Sequence, residues 1–291
     1  MIKITNLTKS YGKKKALDDL SLEIKKGSVF GLLGVNGAGK TTLLSILNGL
    51  ISQDSGIVEI FGLDINKDAK KVKNISSIIP QHLAFYEDLS VKENLDFFAK
   101  VQNAEQENYD KAVEINSLES ILSQRASTLS GGQKRRLNIA IGLLNNPKII
   151  YFDEPTVGID PKSRNEILDS IKEYKNFGIT VVYTSHYMNE IEKICDEVAI
   201  IDHGKLIEQN SVENLITNKN SDSVSVEVVY SKNLKELGFD MSSETTIRTK
   251  EAELFTMLEL CKKHNISIKQ INYGSSNLEK HFLDITGALN V

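Results

Sequence analysis

The sequence predicts an α/β fold built on a mixed sheet and followed by a smaller α+β domain. Three observations lead to this prediction. Apolar strands alternate with helical stretches, which is typical of a largely parallel sheet. A glycine-rich loop joins a buried strand to a helix, and the composition turns polar around residues 209–223. We therefore expect a large domain over residues 1–217, with a helical subdomain at about 90–146, and a small accessory domain over 222–291.

The composition is that of an ordinary globular protein and excludes several classes. Of 291 residues, 40% are hydrophobic and 25% are charged, so a chain disordered throughout is excluded. The net charge of −4 argues against a dedicated nucleic-acid binder, and no nucleic-acid partner is expected. Cys195 and Cys261 have neither a CxxC nor a Cys/His spacing, so neither a disulfide framework nor a zinc site is predicted. The sequence contains no run of about 18 apolar residues, so no membrane span is predicted.

The first part of the chain indicates two kinds of strand. Apolar and polar residues alternate within residues 1–31, as in a half-buried antiparallel sheet. Residues 29–33 are continuously apolar, which is the pattern of a strand buried on both faces. Helical periodicity over 41–50 and a strand at 58–62 follow the glycine-rich loop. These elements predict an antiparallel β subdomain beside the central sheet.

The middle of the chain predicts a helical insertion and then a return to alternating strands and helices. Apolar residues recur at helical spacing between residues 90 and 146, where no convincing strand pattern occurs. Strands are expected at 149–152, 179–183 and 198–201, separated by helices at 161–176 and 187–195. The tail adds an alternating stretch at 224–230, a helix near residue 258 and a last helix. Ser276 and Glu279 have the spacing of a capping box at the start of that last helix.

Residues 34–41 fit the pattern G-x-x-x-x-G-K-[ST] of a phosphate-binding loop. Glycines let successive backbone N–H groups cradle phosphate oxygens, and the helix that begins there presents its positive end. Lys40 would neutralise the β- and γ-phosphates, while the Thr41 hydroxyl would bind Mg²⁺. A chance glycine-rich turn is the alternative, and the flanking strand and helix disfavour it. The predicted nucleotide ligands of this loop are Gly34, Asn36, Gly37, Ala38, Gly39, Lys40, Thr41 and Thr42.

A pair of acidic residues ends the apolar strand expected at 149–152. Asp153 at the carboxyl end of that strand can reach the Mg²⁺ shell, and Glu154 can face the water that attacks the γ-phosphate. The alternative is that the pair merely begins a loop. The phosphate loop alone does not distinguish kinases, GTPases and ATPases, and this second carboxylate site is more informative.

Residues 129–133, Leu-Ser-Gly-Gly-Gln, lie between these two motifs. In isolation they indicate a helix N-cap at Ser130 or a glycine turn. In this order the three motifs resemble those of the ATP-binding cassette (ABC) ATPases, which have the P-loop NTPase fold, and the resemblance covers residues 1–217. Tyr11 resembles the aromatic residue that stacks on adenine, Gln81 the Q-loop glutamine, Asp160 the D-loop aspartate and His186 the switch histidine. Taken singly, Tyr11 could be a strand-edge aromatic, Gln81 a loop residue and His186 a helix cap.

The resemblance implies a site that is complete only in a dimer. In this family ATP lies between the phosphate loop of one subunit and the signature motif of another, so this single cassette implies a homodimer. The implied trans ligands of ATP are Ser130, Gly131, Gly132 and Gln133, with Asp160 beside them. The implied catalytic residues are Glu154, His186, Gln81 and Lys40, and the implied Mg²⁺ ligands are Thr41, Gln81 and Asp153. Val35 and Val157 depart from the proline and serine of many relatives, but neither change removes a phosphate ligand.

The last helix carries a second resemblance. Residues 278–287 are similar to the ending of the drug- and antibiotic-export ATPases that pair with ABC-2 permeases. The sequence therefore predicts an ATP-hydrolysing subunit that powers export through a separate permease, held on the cytoplasmic face of the membrane. A soluble ABC ATPase of translation or DNA repair is the alternative. Tandem cassettes, long coiled coils and zinc sites, which mark that class, do not occur in this sequence.

Overall fold

The computed structural model describes residues 1–217, 223–229, 239–243, 245–250, 253–264, 266–273 and 277–286. These residues form two compact units, Met1–Val212 and Glu213–Val291. The boundary expected at residues 217–222 stays a prediction, since 218–222 lie outside the described residues.

The described part of the first unit contains an ordered series of strands and helices. In chain order they are β1 (Ile2–Tyr11), β2 (Lys14–Ile24), β3 (Val29–Leu33), α1 (Lys40–Leu47), β4 (Ser55–Ile60), β5 (Leu63–Asp64), α2 (Ala69–Ile75), β6 (Ser76–Ile79), α3 (Val91–Gln102), α4 (Gln106–Ile115), α5 (Gly131–Leu143), β7 (Ile149–Asp153), α6 (Pro161–Glu173), β8 (Thr180–Ser185), α7 (Met188–Ile194), β9 (Glu197–Asp202) and β10 (Lys205–Ser211), with short 3-10 helices at Glu119–Ile121, Ala126–Thr128 and Tyr174–Phe177.

Two sheets form the core of this unit. The antiparallel sheet has the order β2-β1-β4-β5, and the six-stranded sheet has the order β10-β9-β3-β8-β7-β6. All neighbours in the larger sheet are parallel except β9 and β10. Every residue of β3, β7 and β8 is buried, because both faces of these strands are covered. The predicted mixed-sheet α/β fold is confirmed.

Helices α3, α4 and α5 form the insertion between β6 and β7, and the described residues of 90–146 contain no strand. Ser90 begins α3 with a capping box in which Glu93 bonds back to the Ser90 backbone. At the other end of the insertion, Gly142 of α5 lies so close to β6 that a Cβ there would collide with Ile79. This contact fixes the carboxyl end of α5 on the central sheet.

Two strands of the six-stranded sheet differ from the sequence expectations. The sequence does not predict β6, because its four residues follow α2 directly and are followed by Pro80. Residues 209–211, expected to begin a polar boundary, are instead the end of β10. That strand lies at the edge of the sheet and is half-buried, so polar side chains are tolerated there.

The second unit is α+β in its described residues, as predicted. The short helix α8 (Val212–Thr217) leads into it, and its elements are β11 (Ser223–Val228), β12 (Asp240–Ser243), β13 (Thr246–Lys250), α9 (Leu254–Lys263), β14 (Ile268–Tyr273) and α10 (Asn277–Thr286). The sheet order is β12-β13-β11-β14, and apolar side chains of β11, β13 and α9 form its core. Ser276, the expected cap of the last helix, lies outside the described residues. Among the described residues no helix is both long and apolar enough to cross a membrane.

Candidate active site

Three neighbouring strands bring the predicted motifs to one edge of the central sheet. β3, β8 and β7 run parallel, with Leu33 beside Ser185 and Asp153 beside Thr184. The segments that follow these strands therefore begin at the same edge, which is where open α/β sheets bind ligands. A cleft of about 480 Å³ opens here. It is lined by Tyr11, Lys14, Ala16, Asn36, Gly37, Gly39, Lys40, Thr41, Thr42, Gln81 and Glu154.

The phosphate-binding loop requires glycine at two positions. Gly39 has a φ of +108°, and a Cβ there would collide with the Ala16 carbonyl oxygen. A Cβ at Gly34 would collide with the Ile201 carbonyl oxygen. The loop therefore lies against backbone atoms on both sides, and its shape depends on the absence of side chains at these positions.

Lys40 begins α1 with its ammonium group inside the loop. Its side chain is only 6% exposed, and Nζ donates to the Gly34 carbonyl oxygen at 2.7 Å. The Glu154 carboxylate lies 3.8 Å from Nζ. Burial lowers the pKa of Lys40, while the charges of Glu154 and Asp153 oppose that shift. The result is a buried cation that faces the space enclosed by the phosphate loop.

Asp153 is fixed by two hydroxyl groups. Thr41 Oγ1 donates to Asp153 Oδ2 at 3.0 Å, and Thr184 Oγ1 donates to Oδ1 at 3.1 Å. Thr184 was missed in the sequence, because its contact with Asp153 depends on the parallel register of β7 and β8. Thr41 and Asp153 together present hard oxygen ligands of the kind that Mg²⁺ binds.

Glu154 follows β7 in a left-handed backbone conformation, with a φ of +46°. Its N–H donates to Thr184 Oγ1 at 2.9 Å, which helps to hold that turn. The carboxylate lies between Lys40 and His186, with Oε2 at 3.5 Å from His186 Nδ1. A non-glycine residue in this region costs about 1–3 kcal/mol, so the surrounding contacts must fix the conformation.

His186 lies just beyond β8 and is 41% exposed. Its ring centroid is 4.0 Å from that of Tyr187. Helix α7 begins at Met188 with Tyr187 in the cap position, so His186 does not cap that helix. The structure therefore places His186 next to Glu154 and excludes the alternative that His186 is a helix cap.

Gln81 and Tyr11 line the same cleft from two other elements. Gln81 is exposed and lies in the segment that follows β6. Its carbonyl oxygen accepts a hydrogen bond from the buried Arg135 guanidinium at 2.6 Å. Tyr11 ends β1 and is 54% exposed, so its ring is free to stack on a flat ligand. Lys14, which belongs to none of the motifs found in the sequence, also lines the cleft.

The signature residues lie elsewhere on the unit and do not line this cleft. Ser130 caps α5 by accepting from the Gln133 N–H at 3.3 Å, and the Gln133 side chain accepts from the Ser130 N–H at 2.9 Å. The N-cap alternative is therefore correct as a description of the local structure. Gly131 is exposed, whereas a Cβ at Gly132 would collide with the Ser163 side chain.

Asp160 also acts as a helix cap. Its Oδ1 accepts from the N–H groups of Lys162 and Ser163 at 3.1 and 3.0 Å, at the start of α6. Hydrogen bonds from Ser163 are the main reason that the pKa of Asp160 lies below its usual range. Asp160 does not line the cleft, so within one chain the structure separates it and the signature residues from the phosphate loop.

Comparison with known proteins gives consistent matches. The family model for ABC transporters matches residues 17–157. The chain is 36% identical over 310 residues to the linearmycin resistance ATP-binding protein LnrL of Bacillus subtilis (strain 168), covering 99% of this chain and 98% of that protein. It is 33% identical to the bacitracin transport ATP-binding protein BcrA of Bacillus licheniformis, with coverages of 99% and 97%.

A solved structure shares both the fold and part of the sequence. It is the dimeric structure of MJ0796, a bacterial ABC transporter cassette, which is 27% identical to this chain with a TM-score of 0.65. The match covers 73% of this chain and 99% of that one. The same cassette in a post-hydrolysis state, bound to ADP and phosphate, has a TM-score of 0.63.

Proposed function

This chain belongs to the ABC transporter family of ATP-binding proteins, and from that premise we propose which of its residues perform the reaction. It is the ATP-binding and ATP-hydrolysing subunit of an export transporter. The observation that carries the assignment of residues is the convergence of Lys40, Glu154 and Gln81 on one cleft, with His186 beside Glu154.

Hydrolysis at this cleft needs a group that activates water and groups that stabilise the phosphate. Glu154 accepts a hydrogen bond from the attacking water and takes its proton as the bond to the γ-phosphorus forms. His186 donates a hydrogen bond to the γ-phosphate, and the Lys40 ammonium offsets the charge on the β- and γ-phosphates. ATP and water then become ADP and phosphate. The exposed ring of Tyr11 stacks on adenine.

The oxygen ligands in the cleft fit Mg²⁺. Thr41 and Asp153 would hold the ion, and Gln81 lines the same cleft on the side of the helical insertion. When bound, Mg²⁺ neutralises charge on the β- and γ-phosphates. Thr184 holds the Asp153 carboxylate in place by its hydroxyl.

A second copy of the chain completes the site. Ser130 and Gly131 are exposed, lie outside the cleft and begin α5, whose amino-terminal end attracts anions. The separation of these residues from the phosphate loop supports an ATP-bound homodimer in which each signature motif faces the partner's γ-phosphate. Gly132 and Gln133 shape this helix start, and Asp160 holds the adjoining start of α6.

The role of Glu154 can be tested by replacing it with glutamine. Glu154→Gln keeps the shape but removes the base, so kcat should fall by about 10²-fold or more while ATP binding is retained. Lys40→Ala serves as the contrast, because it should lose nucleotide binding. ATPase assays and calorimetric titration with ATP measure the two effects. Hydrolysis at the wild-type rate by Glu154→Gln would exclude this role.

A permease subunit supplies the membrane pathway, and the segment after Gln81 supports a docking surface for it. Tyr86, Phe97 and Phe98 form an aromatic cluster with ring centroids 5.1–6.1 Å apart. Glu87 and Asp88 lie beside it and line a shallow cleft with Tyr86 and Phe97. Apolar anchors beside acids suit a short helix with apolar and basic residues. Docking of a permease there holds the chain on the cytoplasmic face of the membrane.

The docking surface predicts the behaviour of a double variant. Tyr86→Ala with Glu87→Lys should weaken association with the permease, because it removes an aromatic anchor and places a lysine next to Lys134. Co-purification and transport measure the loss, while ATPase activity of the isolated subunit should change little. Phe177→Ala with Glu173→Lys is a matched control on another exposed surface. Unchanged co-purification of the permease would place the docking surface elsewhere.

A further inference from the structure

Glu190 of α7 is a buried carboxylate that accepts hydrogen bonds from three hydroxyl groups. Its side chain is 1% exposed and does not line the nucleotide cleft. Oε1 accepts from Thr156 Oγ1 at 2.8 Å, and Oε2 accepts from Tyr183 and Ser185 at 2.8 and 2.7 Å. A carboxylate this deeply buried needs such donors, because it has lost its hydration.

A positive charge accompanies the carboxylate. Arg164 of α6 places Nε 3.7 Å from Glu190 Oε1, and its guanidinium lies over the Tyr187 ring at 5.0 Å. The same guanidinium donates to the Ile159 carbonyl oxygen at 3.3 Å. Arg164 therefore contacts the segment after Glu154, the residue after His186 and Glu190 itself.

The hydroxyl partners of Glu190 lie next to two catalytic residues. Thr156 is two positions beyond Glu154, and Ser185 immediately precedes His186. Ser185 Oγ also accepts from the Tyr187 N–H at 2.9 Å, so it fixes the backbone on both sides of His186. The buried Glu190 side chain thus joins the segment after β7 to the carboxyl end of β8, directly before His186.

We propose that Glu190 is a positioning residue that sets the distance between Glu154 and His186. It contacts neither ATP nor the attacking water, and it acts through Thr156 and Ser185. This inference rests on the proposed roles of Glu154 and His186 in hydrolysis. The 3.5 Å separation of their side chains is the quantity that the hydroxyl network controls.

Glu190→Gln tests the proposal with little change in volume. The amide has one acceptor oxygen in place of two and no negative charge to pair with Arg164. The contacts that hold Thr156 and Ser185 are therefore weakened. We expect kcat for ATP to fall about tenfold while KM stays within about threefold, since misplacing reacting groups by a fraction of an ångström affects the transition state more than binding. Thr180→Val is the matched control. It removes the Thr180 hydroxyl, which accepts a hydrogen bond from the Gly27 N–H at the other end of β8.

Milder variants keep the test decisive if Glu190→Gln folds poorly. Thr156→Val and Ser185→Ala each remove one side of the network, and each should lower kcat. Their effects should be less than multiplicative with each other, because both pass through one carboxylate. Normal kcat in folded Thr156→Val and Ser185→Ala would overturn the proposal, as would losses that follow stability alone and appear equally in Thr180→Val.

Failure of the proposed function gives a different result. In that case Glu154→Gln hydrolyses ATP as fast as the wild-type chain. If Glu154→Gln is inactive but the Glu190, Thr156 and Ser185 variants all retain wild-type kcat, the roles of Glu154 and His186 stand and only the positioning role is wrong.

Discussion

At the scale of single residues, the backbone of Glu154 shows how the site is held in a conformation that its residue type disfavours. A φ of +46° suits glycine, yet the proposed hydrolysis requires a carboxylate at this position. The neighbouring hydrogen bond from the Glu154 N–H to Thr184 compensates part of this cost. The strained backbone therefore lowers the stability of this turn, and it places the Glu154 carboxylate in the position that the proposed reaction requires.

This strain predicts which of two substitutions of Glu154 gives the more stable protein. Glu154→Ala and Glu154→Gly both remove the carboxylate, but only glycine is unstrained at this φ. Glu154→Gly should therefore be more stable than Glu154→Ala by about 1 kcal/mol. Urea denaturation followed by circular dichroism measures the difference. Equal unfolding midpoints would show that the turn is not strained.

The sequence predicts site residues well where a motif fixes their spacing, and poorly where contacts cross between strands. The phosphate-loop pattern leads directly to Lys40 and Thr41, and the strand ending in two acids leads to Asp153. Thr184 and Glu190 flank His186 in the sequence, but this spacing does not indicate which groups they bind. Their partners come from other strands and loops, and the register that joins them appears only in the folded chain.

At the scale of elements, the start of α6 offers a test of what Asp160 does. At neutral pH, Asp160→Ala should lower the urea midpoint because it removes the cap, whereas Asp160→Asn keeps a capping side chain. The folded-state pKa of Asp160 is lowered, so its stabilising contribution is present above the unfolded-state pKa and is lost as pH falls through the folded-state pKa.

The difference in stability between the wild-type chain and Asp160→Ala should therefore shrink in acid. The difference between Asp160→Asn and Asp160→Ala should persist, because the amide does not titrate. Urea midpoints measured across the acid range check this difference. A wild-type advantage that does not change with pH would contradict the capping role of the carboxylate.

Helix α5 is joined to the Gln81 segment by the buried Arg135 and by Asn138, whose Oδ1 accepts from the Ala84 N–H at 2.9 Å. Arg135 donates to the carbonyl oxygens of Pro80 and Gln81 at 2.8 and 2.6 Å. Arg135→Met keeps most of the volume but removes both donors, so amide hydrogen exchange in residues 81–86 should become faster. Arg136→Met is the control, because Arg136 is more exposed and its guanidinium lies 3.9 Å from the Glu166 carboxylate. Equal exchange in the two variants would show that Arg135 does not hold this segment.

Elements with a long apolar pattern are predictable, and short elements at sheet edges are not. β3 and β7 are continuous apolar runs because the sheet covers both their faces. β6 has four residues between a helix and a proline, and β10 is a half-buried edge strand that tolerates polar side chains. Hydrophobic periodicity is a weak signal in both, so their presence depends on pairing with strands that are distant in the sequence.

At the scale of the whole molecule, the proposed dimer accounts for the exposure of Ser130 and Gly131. Ser130→Arg would place a bulky cation where the partner's phosphates bind, so it should block ATP-dependent dimerisation but leave ATP binding by one chain nearly intact. Size-exclusion chromatography with ATP in the Glu154→Gln background measures this. Gln106→Arg makes the same charge change on the exposed start of α4. Normal dimerisation of Ser130→Arg would refute the arrangement.

The contact between Gly142 and β6 has a mechanical consequence. It fixes one end of α5, whose other end is Ser130, about 18 Å away at the usual rise of a helix. A tilt of about 10° around that contact moves the Ser130 end by about 3 Å, which is the length of one hydrogen bond. A small rotation of α5 at the sheet would therefore be enough to make or break the proposed contact between Ser130 and the partner's γ-phosphate.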